Sequence, residues 1–424
     1  MTTALENKDG AITEQQSAEA VRCFFDQHDY TGKRLLLIVP DNTRSGPIGM
    51  VFQQIHACLA DTAAALDILV ALGTHQPMTE EQICRRLSIT LQERHTQYAS
   101  VKFFNHEWDR PETFKTIGKI SADEIGEISD GLFFEKVPVA INKLIYEYDE
   151  FFILGPVFPH EVVGFSGGHK YIFPGIAADQ IIHFFHWLGA VVTNPLINGQ
   201  IWTPTRQVVE KAASFITIPR QLFAIVAVEN ELKGLFIGDV AETWEKAAKL
   251  SEQVHIVYKN RTYHTILGLA PEMYDDLWTA GKVMYKLEPV AADDATLIIH
   301  APHITEVSYT HGKYLDQIGY HTRDYFLKHM DQFRDIPRGI IAHSTHVKGI
   351  GTFVDGVEKS RINVVLATGI PEERCRKINL GYLNPADINP ADYQNREDEG
   401  VLLVPHAGEL LHHLADGSLP TIPK

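Results

Sequence analysis

Three short, continuous apolar runs constrain the fold most: Lys33-Arg-Leu-Leu-Leu-Ile-Val39, Leu66-Asp-Ile-Leu-Val-Ala-Leu72 and Glu150-Phe-Phe-Ile-Leu-Gly155. A strand with one wet face alternates polar and apolar residues. A run that is apolar throughout suits a strand buried on both faces, as in parallel sheets covered by helices. Amphipathic stretches such as Val240 to Val257 separate the runs, so the expected class is α/β. Thr79-Glu-Glu-Gln82, after the second run, has the spacing of a capping box and opens a helix. Val101 to Phe104 reads as a further strand, and Ala212 to Gly238 as a helix end followed by strands that turn at Glu229-Asn-Glu231.

A second unit begins near Pro271, with strands expected at Asp294–His300, Gly339–His343 and Ile362–Ala367. Asn384 to Gly400, rich in Asn, Asp and Pro, is a surface connection. Val401–Val404 is a final strand and His406–His413 a final helix. At 424 residues the chain has room for two domains with separate cores. The division expected is 1–265 and 271–395. A net charge of −16 disfavours nucleic acid and anionic membrane as partners. No apolar run approaches the roughly 18 residues of a membrane span, and the first residues lack the pattern of a signal peptide. Cys23, Cys58, Cys84 and Cys375 show neither metal-site spacing nor a disulfide framework. A cytoplasmic protein is expected.

The apolar runs lead into polar residues, and in open α/β sheets ligands bind beyond the carboxyl ends of the strands. Pro40-Asp-Asn-Thr-Arg-Ser-Gly-Pro47 follows the first run. There Asp41, Thr43 and Arg44 either contact a ligand or serve the turn and the next helix cap. Gly73-Thr-His75 ends the second run, so Thr74 and His75 either reach a phosphate or ribose or satisfy the loop. His106 follows the strand at Val101–Phe104. Beyond the third run, His160, Gly164, Gly167, Gly168, Lys170 and His186 fall within one segment. Glycines let backbone approach a phosphate closely, and a lysine beside them is a counter-charge or a covalent anchor. His183 and His186 lie on an apolar helix, where a histidine is ordinarily a core residue with a satisfied hydrogen bond.

This segment, with Asp41-Asn-Thr43-Arg44 and Gly73-Thr-His75, resembles the lactate racemase family. The family uses a nickel-pincer nucleotide, pyridinium-3,5-bisthiocarboxylic acid mononucleotide nickel. The resemblance implies covalent attachment of that cofactor at Lys170, nickel ligation by His186, and an acid/base pair formed by His106 and His160. It makes Asp41, Thr43, Thr74, His75, Gly167 and Gly168 cofactor contacts, and Arg44 a contact to the substrate carboxylate. It also implies an active site in a cleft between two α/β domains, with residues 400–424 returning to the first. The cofactor would come from separate biosynthesis proteins.

The implied reaction inverts C2 of a small-molecule 2-hydroxy acid. One histidine takes the hydroxyl proton as hydride leaves for the pyridinium; a planar 2-keto acid rotates, and hydride and proton return on the other face. Here Ser45 replaces a proline usual in the family, Lys286 directly follows Tyr285, and Phe333 stands in place of a tryptophan. Tyr285 and Lys286 are the substrate candidates in the second domain. Thr305, Ser308, Tyr309, Thr310, His311 and His346 add hydrogen-bonding groups. The expected substrate is accordingly a sugar acid of the gluconate/mannonate type, with lactate or another short-chain acid as the alternative. Readings of other classes are a metal-dependent hydrolase or lyase and a non-catalytic nucleotide-binding protein.

Overall fold

The computed structural model describes residues 2–43 and 45–422; Arg44, the expected carboxylate contact, lies outside the described residues. The chain groups into two compact units, neither continuous in sequence. The first comprises residues up to Phe158, Phe165–Ile182 and Arg206–Val254. The second comprises Pro159–Gly164, His183–Thr205 and the chain from His255 onward.

The first unit is built on seven strands: β1 (Thr3–Glu6), β2 (Arg34–Pro40), β3 (Ala65–Ala71), β4 (Phe103–Asn105), β7 (Glu150–Pro156), β10 (Arg220–Val228) and β11 (Glu231–Gly238). A separate antiparallel pair, β5 (Phe114–Ile120) and β6 (Val137–Asn142), lies between β4 and β7 in sequence. The seven are ordered β1-β11-β10-β7-β2-β3-β4. Neighbours from β10 to β4 run parallel, and β1 and β11 add antiparallel edges. Every residue of β7 is buried, as is all of β2 after Arg34. Burial on both faces is why these runs are apolar throughout. Val51, Phe52 and Ile55 of the helix Ile48–Leu59 pack over Leu35, Leu37 and Val39 in one core. The capping box at Thr79 is present, opening the helix Glu80–Arg86.

After β8 (Pro159–His160) and β9 (Gly164–Phe165), the second unit adds β12 (Ile256–Lys259), β13 (Tyr263–Leu269), β14 (Ala291–Ala301), β15 (Gly351–Val354), β16 (Val357–Ser360), β17 (Asn363–Thr368), β18 (Gly381–Tyr382), β19 (Val401–Val404) and β20 (Leu411–Leu414). A parallel sheet ordered β18-β17-β14-β13-β19 carries its core, with Leu267, Ile298 and Ala367 at the centre.

Two expectations need correction. Gly339–His343 is not a strand but part of the helix Arg338–Lys348, which starts after Pro337 and ends at Gly349 with φ 83°. A proline before the first turn and a glycine past the last are helix-boundary signals. His406–His413 is not a helix: Gly408 takes φ 114°, and Leu411–Leu414 pairs with Ile256–Lys259 instead. In the tail, β19 pairs with β13 and β20 with β12.

Candidate functional site

Strand order reverses beside β2. The chain adds β3 and β4 on one side of it and β7 and β10 on the other. At such a switch point neighbouring loops diverge and leave a crevice outside the carboxyl ends. The loops after β2, β3, β4 and β7 carry most of the residues singled out from sequence.

Asp41 follows β2 and is buried. One carboxylate oxygen accepts from the Thr43 amide at 3.0 Å and the Thr43 hydroxyl at 2.6 Å; the other accepts from His75 Nδ1 at 2.5 Å. The loop after β2 is thereby tied to the Gly73-Thr74-His75 loop after β3. Trp108 Nε1 donates to the His75 carbonyl at 2.8 Å, and Gly73 N donates to Gly175 O at 2.9 Å.

His106, just past β4, is fully buried. Its Nε2 donates to Ala177 O and its Nδ1 accepts from Asn142 Nδ2, both at 3.3 Å. Burial pushes its pKa down to about 4, against a smaller raising effect from the Ala177 carbonyl. The ring is therefore neutral at neutral pH. Gly175 and Ala177 belong to the stretch that begins with Lys170, so this one stretch meets the loops after β3 and β4.

The glycine turn after β7 depends on having no side chain. Gly167 and Gly168 adopt φ 83° and 59°, and a Cβ on Gly167 would stand 2.5 Å from Val157 Cγ2. Two residues absent from any sequence motif brace the turn. Trp244 Nε1 donates to Ser166 O at 2.8 Å, and the guanidinium of Arg206 lies 3.9 Å from the Trp244 ring centre. Arg206 is wholly buried, donates to the carbonyls of Phe165 and Gly167, and pairs with Glu210 at 3.4 Å. Burial lowers its pKa to about 10, so it stays charged at neutral pH. Glu210 accepts from His169 Nδ1 at 2.6 Å while Arg220 Nε donates to His169 Nε2 at 3.0 Å, which fixes that ring's tautomer beside Lys170. Only tertiary packing gives these partners their roles, so no local signal marked them.

In the second unit His160 is buried; its Nδ1 accepts from Val162 N at 3.1 Å and lies 3.3 Å from the Glu161 carboxylate. Lys286, expected at the substrate, is buried, and its ammonium donates to the Pro159 carbonyl beside His160. Tyr285 is buried, and its carbonyl accepts from Asn194 and Asn198. His186 is half-buried on the helix Asp179–Val192, its ring stacked on Phe185 at 4.5 Å. His183 accepts from Gly339 N, the satisfied bond expected of it. Among the loop candidates Thr305 and Tyr309 are exposed, and Ser308 Oγ accepts from His311 N. His343 and His346 sit on a buried helical face, with Trp278 stacked 3.9 Å from His343. Among the described residues no group of three or more His, Cys, Asp or Glu is placed to hold a metal ion, so the hydrolase reading lacks a ligand set there. Nor is any described helix long and apolar enough to cross a membrane.

A mainly parallel sheet with polar loops gathered at its switch point is an α/β arrangement of the kind that leaves a crevice for ligands. Residues 23–196 match the lactate racemase N-terminal domain. That region carries a domain of the lactate racemase family. It is 28% identical over 183 residues to a lactate racemase of Thermoanaerobacterium thermosaccharolyticum, covering 42% of this chain and 35% of that protein. It is 26% identical over 163 residues to a lactate racemase of Lactiplantibacillus plantarum, covering 38% and 34%. The matched region thus spans about a third of the length of these curated relatives. A crystal structure of a Thermotoga maritima protein superposes with a TM-score of 0.89 at 31% identity, over 97% of this chain and 100% of that one. The lactate racemase apoprotein of Thermoanaerobacterium thermosaccharolyticum superposes with a TM-score of 0.67 at 17% identity, over 96% and 89%, a likeness of fold.

Proposed function

We propose that the protein is a racemase or epimerase that inverts the hydroxyl-bearing C2 of a 2-hydroxy acid, using a nickel-pincer nucleotide attached at Lys170. The observation that carries this reading is the convergence at the switch point: the loops after β2 and β3 are joined through Asp41 and His75, and those after β3 and β4 meet the stretch that begins with Lys170. The residues fit the group. Gly167 and Gly168 keep the turn bare where a Cβ would collide, and Lys170 stands two residues after Gly168. Asp41, Thr43, Thr74 and His75 would hold the nucleotide beside them, and His186 would supply an imidazole ligand, a donor that suits nickel. When bound, the cofactor supplies the hydride acceptor.

The chain's own groups handle the proton. His106, neutral at neutral pH, is in the basic form that accepts the hydroxyl proton. Its two 3.3 Å hydrogen bonds are long, as those of catalytic groups commonly are before substrate arrives. His160 serves the opposite face, held by Val162 N, while Lys286 anchors the preceding carbonyl. Arg44 holds the carboxylate, the task a guanidinium performs with two parallel hydrogen bonds. The substrate favoured is a polyhydroxylated acid of the gluconate/mannonate type, because Phe333 stands where the family has a tryptophan and the second unit offers Thr305, Ser308, Tyr309, Thr310, His311 and His346 as hydrogen-bonding groups. Lactate remains the short-chain alternative, and the cofactor would be delivered by its biosynthesis proteins.

The test is protein from a host that makes the cofactor. Peptide mass should show a nickel-bearing nucleotide adduct on Lys170, and a panel of 2-hydroxy acids should show inversion at C2. Inversion by protein with an unmodified Lys170 refutes the attachment. Failure of adduct-bearing protein to invert any acid refutes the activity, leaving a non-catalytic nucleotide binder.

A further inference from the structure

From His183 onward the helix Asp179–Val192 belongs to the second unit, where it runs alongside Arg338–Lys348 in the same direction. At one end Gly339 N donates to His183 Nδ1 at 3.3 Å, and the Arg338 guanidinium lies 5.7 Å from the Phe184 ring centre. At the other end Ala190 and Thr193, whose φ of 87° takes the chain out of the helix, line one small pocket with Thr345, His346 and Gly349. One helical turn beyond the first contact, this register brings His186 level with His343. The charges that bear on the His343 ring are those of His346, His311 and His186.

His343 is held on two sides. Its ring stacks on the Trp278 indole at 3.9 Å, with 18° between the planes, and its Nε2 hydrogen-bonds the wholly buried Tyr320 hydroxyl at 3.4 Å. The residue is only 8% exposed, yet its Nδ1 has no hydrogen-bond partner among the described residues. Leaving such a nitrogen unpaired is costly, and it calls for a ligand or water that completes it. Trp278 is fixed in turn by Asp276. One Asp276 oxygen accepts from Thr279 N at 2.9 Å, capping the short helix Leu277–Ala280, and the other accepts from Tyr309 N at 3.2 Å. That second bond draws in the loop bearing His311, whose ring lies 4.7 Å from the indole. The indole itself is only half-buried.

A fixed imidazole beside a half-open indole suits a carbon chain that carries hydroxyls. The aromatic surface packs against C–H groups. A hydroxyl both donates and accepts, so it pairs with Nδ1 in either tautomer of the ring. Packed helices stand about 8–10 Å apart, axis to axis. One five- or six-carbon acid is long enough to meet the surroundings of both His186 and His343; lactate, with a methyl group beyond C2, has no further hydroxyl to offer.

We propose that His343 is a specificity-determining residue, its Nδ1 hydrogen-bonding a hydroxyl beyond C2 of a polyhydroxylated 2-hydroxy acid while the Trp278 indole packs against the carbon chain. The proposal rests on the reading of His186 as a neighbour of the reacting carbon. The experiment is calorimetric titration of full-length protein, from a host that makes the cofactor, with gluconate and with 2-hydroxyhexanoate, an acid of equal length without the further hydroxyls. Wild type is compared with His343→Asn, His343→Gln and His343→Phe. By its length an asparagine amide stands where Nδ1 stood, and a glutamine amide where Nε2 stood; His343→Phe keeps the stack on Trp278 but neither nitrogen. The preference for gluconate should fall about tenfold in His343→Phe and His343→Gln, the effect of losing a buried hydrogen bond to a ligand, and survive in His343→Asn. Rescue by His343→Gln and not by His343→Asn would assign the ring to holding Tyr320 and overturn the proposal. So would a preference that is unchanged in all three, one that falls alike in all three, or a wild type that binds the two acids equally. Should His343→Phe fail to fold, the other two variants carry the same comparison. Cofactor content and inversion are measured separately on the same samples. If the protein inverts no hydroxy acid while the binding pattern holds, the catalytic reading fails and the role of His343 stands.

Discussion

Acidification should unfold this protein well before its carboxylates titrate. Burial holds His106, His346, His412 and His413 at about 4, against an ordinary imidazole value of 6.5. A base whose folded pKa lies below its unfolded one binds protons first in the unfolded chain. Stability is therefore complete above the unfolded value and is lost as pH falls from about 6.5 toward 4. Four such groups give a limiting slope of roughly 5 kcal/mol per pH unit. Between pH 7 and 5.5 each contributes a loss of about 1.2 kcal/mol, together about 5 kcal/mol, comparable with the whole stability of many domains. His343, pushed down by burial first and by neighbouring histidines second, adds in the same direction. Three of the four groups belong to the second unit, so its transition should move more steeply. Urea midpoints at pH 7.5, 6.5 and 5.5 measure the effect, and His412→Phe should flatten the slope by about a quarter. A midpoint that is level or rises between pH 7.5 and 5.5 would refute the reasoning.

Replacing either His106 or His160 by alanine should lower steady-state turnover of both stereoisomers by about 10²–10⁴; near-native rates from either isomer would show that the residue is not an acid/base group. Arg206→Met leaves the carbonyls of Phe165 and Gly167 without their charged donor, and should cost about 3 kcal/mol or more by chemical denaturation. Lys286→Met frees the Pro159 carbonyl beside His160. It should lower kcat with little change in KM, whereas a rise confined to KM would return Lys286 to the substrate.

The central strands of the first sheet were legible because burial on both faces leaves no polar alternation to confuse the pattern. Gly339–His343 was not: Ile-Ile-Ala suits either period, and only the full span from Pro337 to Gly349 identifies a helix. The tail at Leu411–Leu414 becomes a strand through pairing with Ile256–Lys259, a partner far away in sequence. At the site, Asp41 and His75 could be read as residues ending adjacent strands. Arg206 and Trp244 could not, since one brings a charge and the other an indole to the glycine turn from remote helices. Thr193 is equally silent in sequence, where nothing predicts a left-handed threonine.

The interleaving of the two units bears on how the chain can be cut and made. A fragment ending at Val254 would still carry His183–Thr205, but not the residues those side chains and carbonyls meet: Gly339 for His183, Tyr285 and Glu288 for Asn194, and Arg323 for Val191. During synthesis the same residues emerge long before their partners, with apolar surface exposed in the interval. Because β20 completes the pairing begun by β12, that pairing closes only after Leu411–Leu414 has been added, about 150 residues after β12. Excision of either half, and grafting of one onto another scaffold, therefore requires rejoining the chain at several points rather than a single cut.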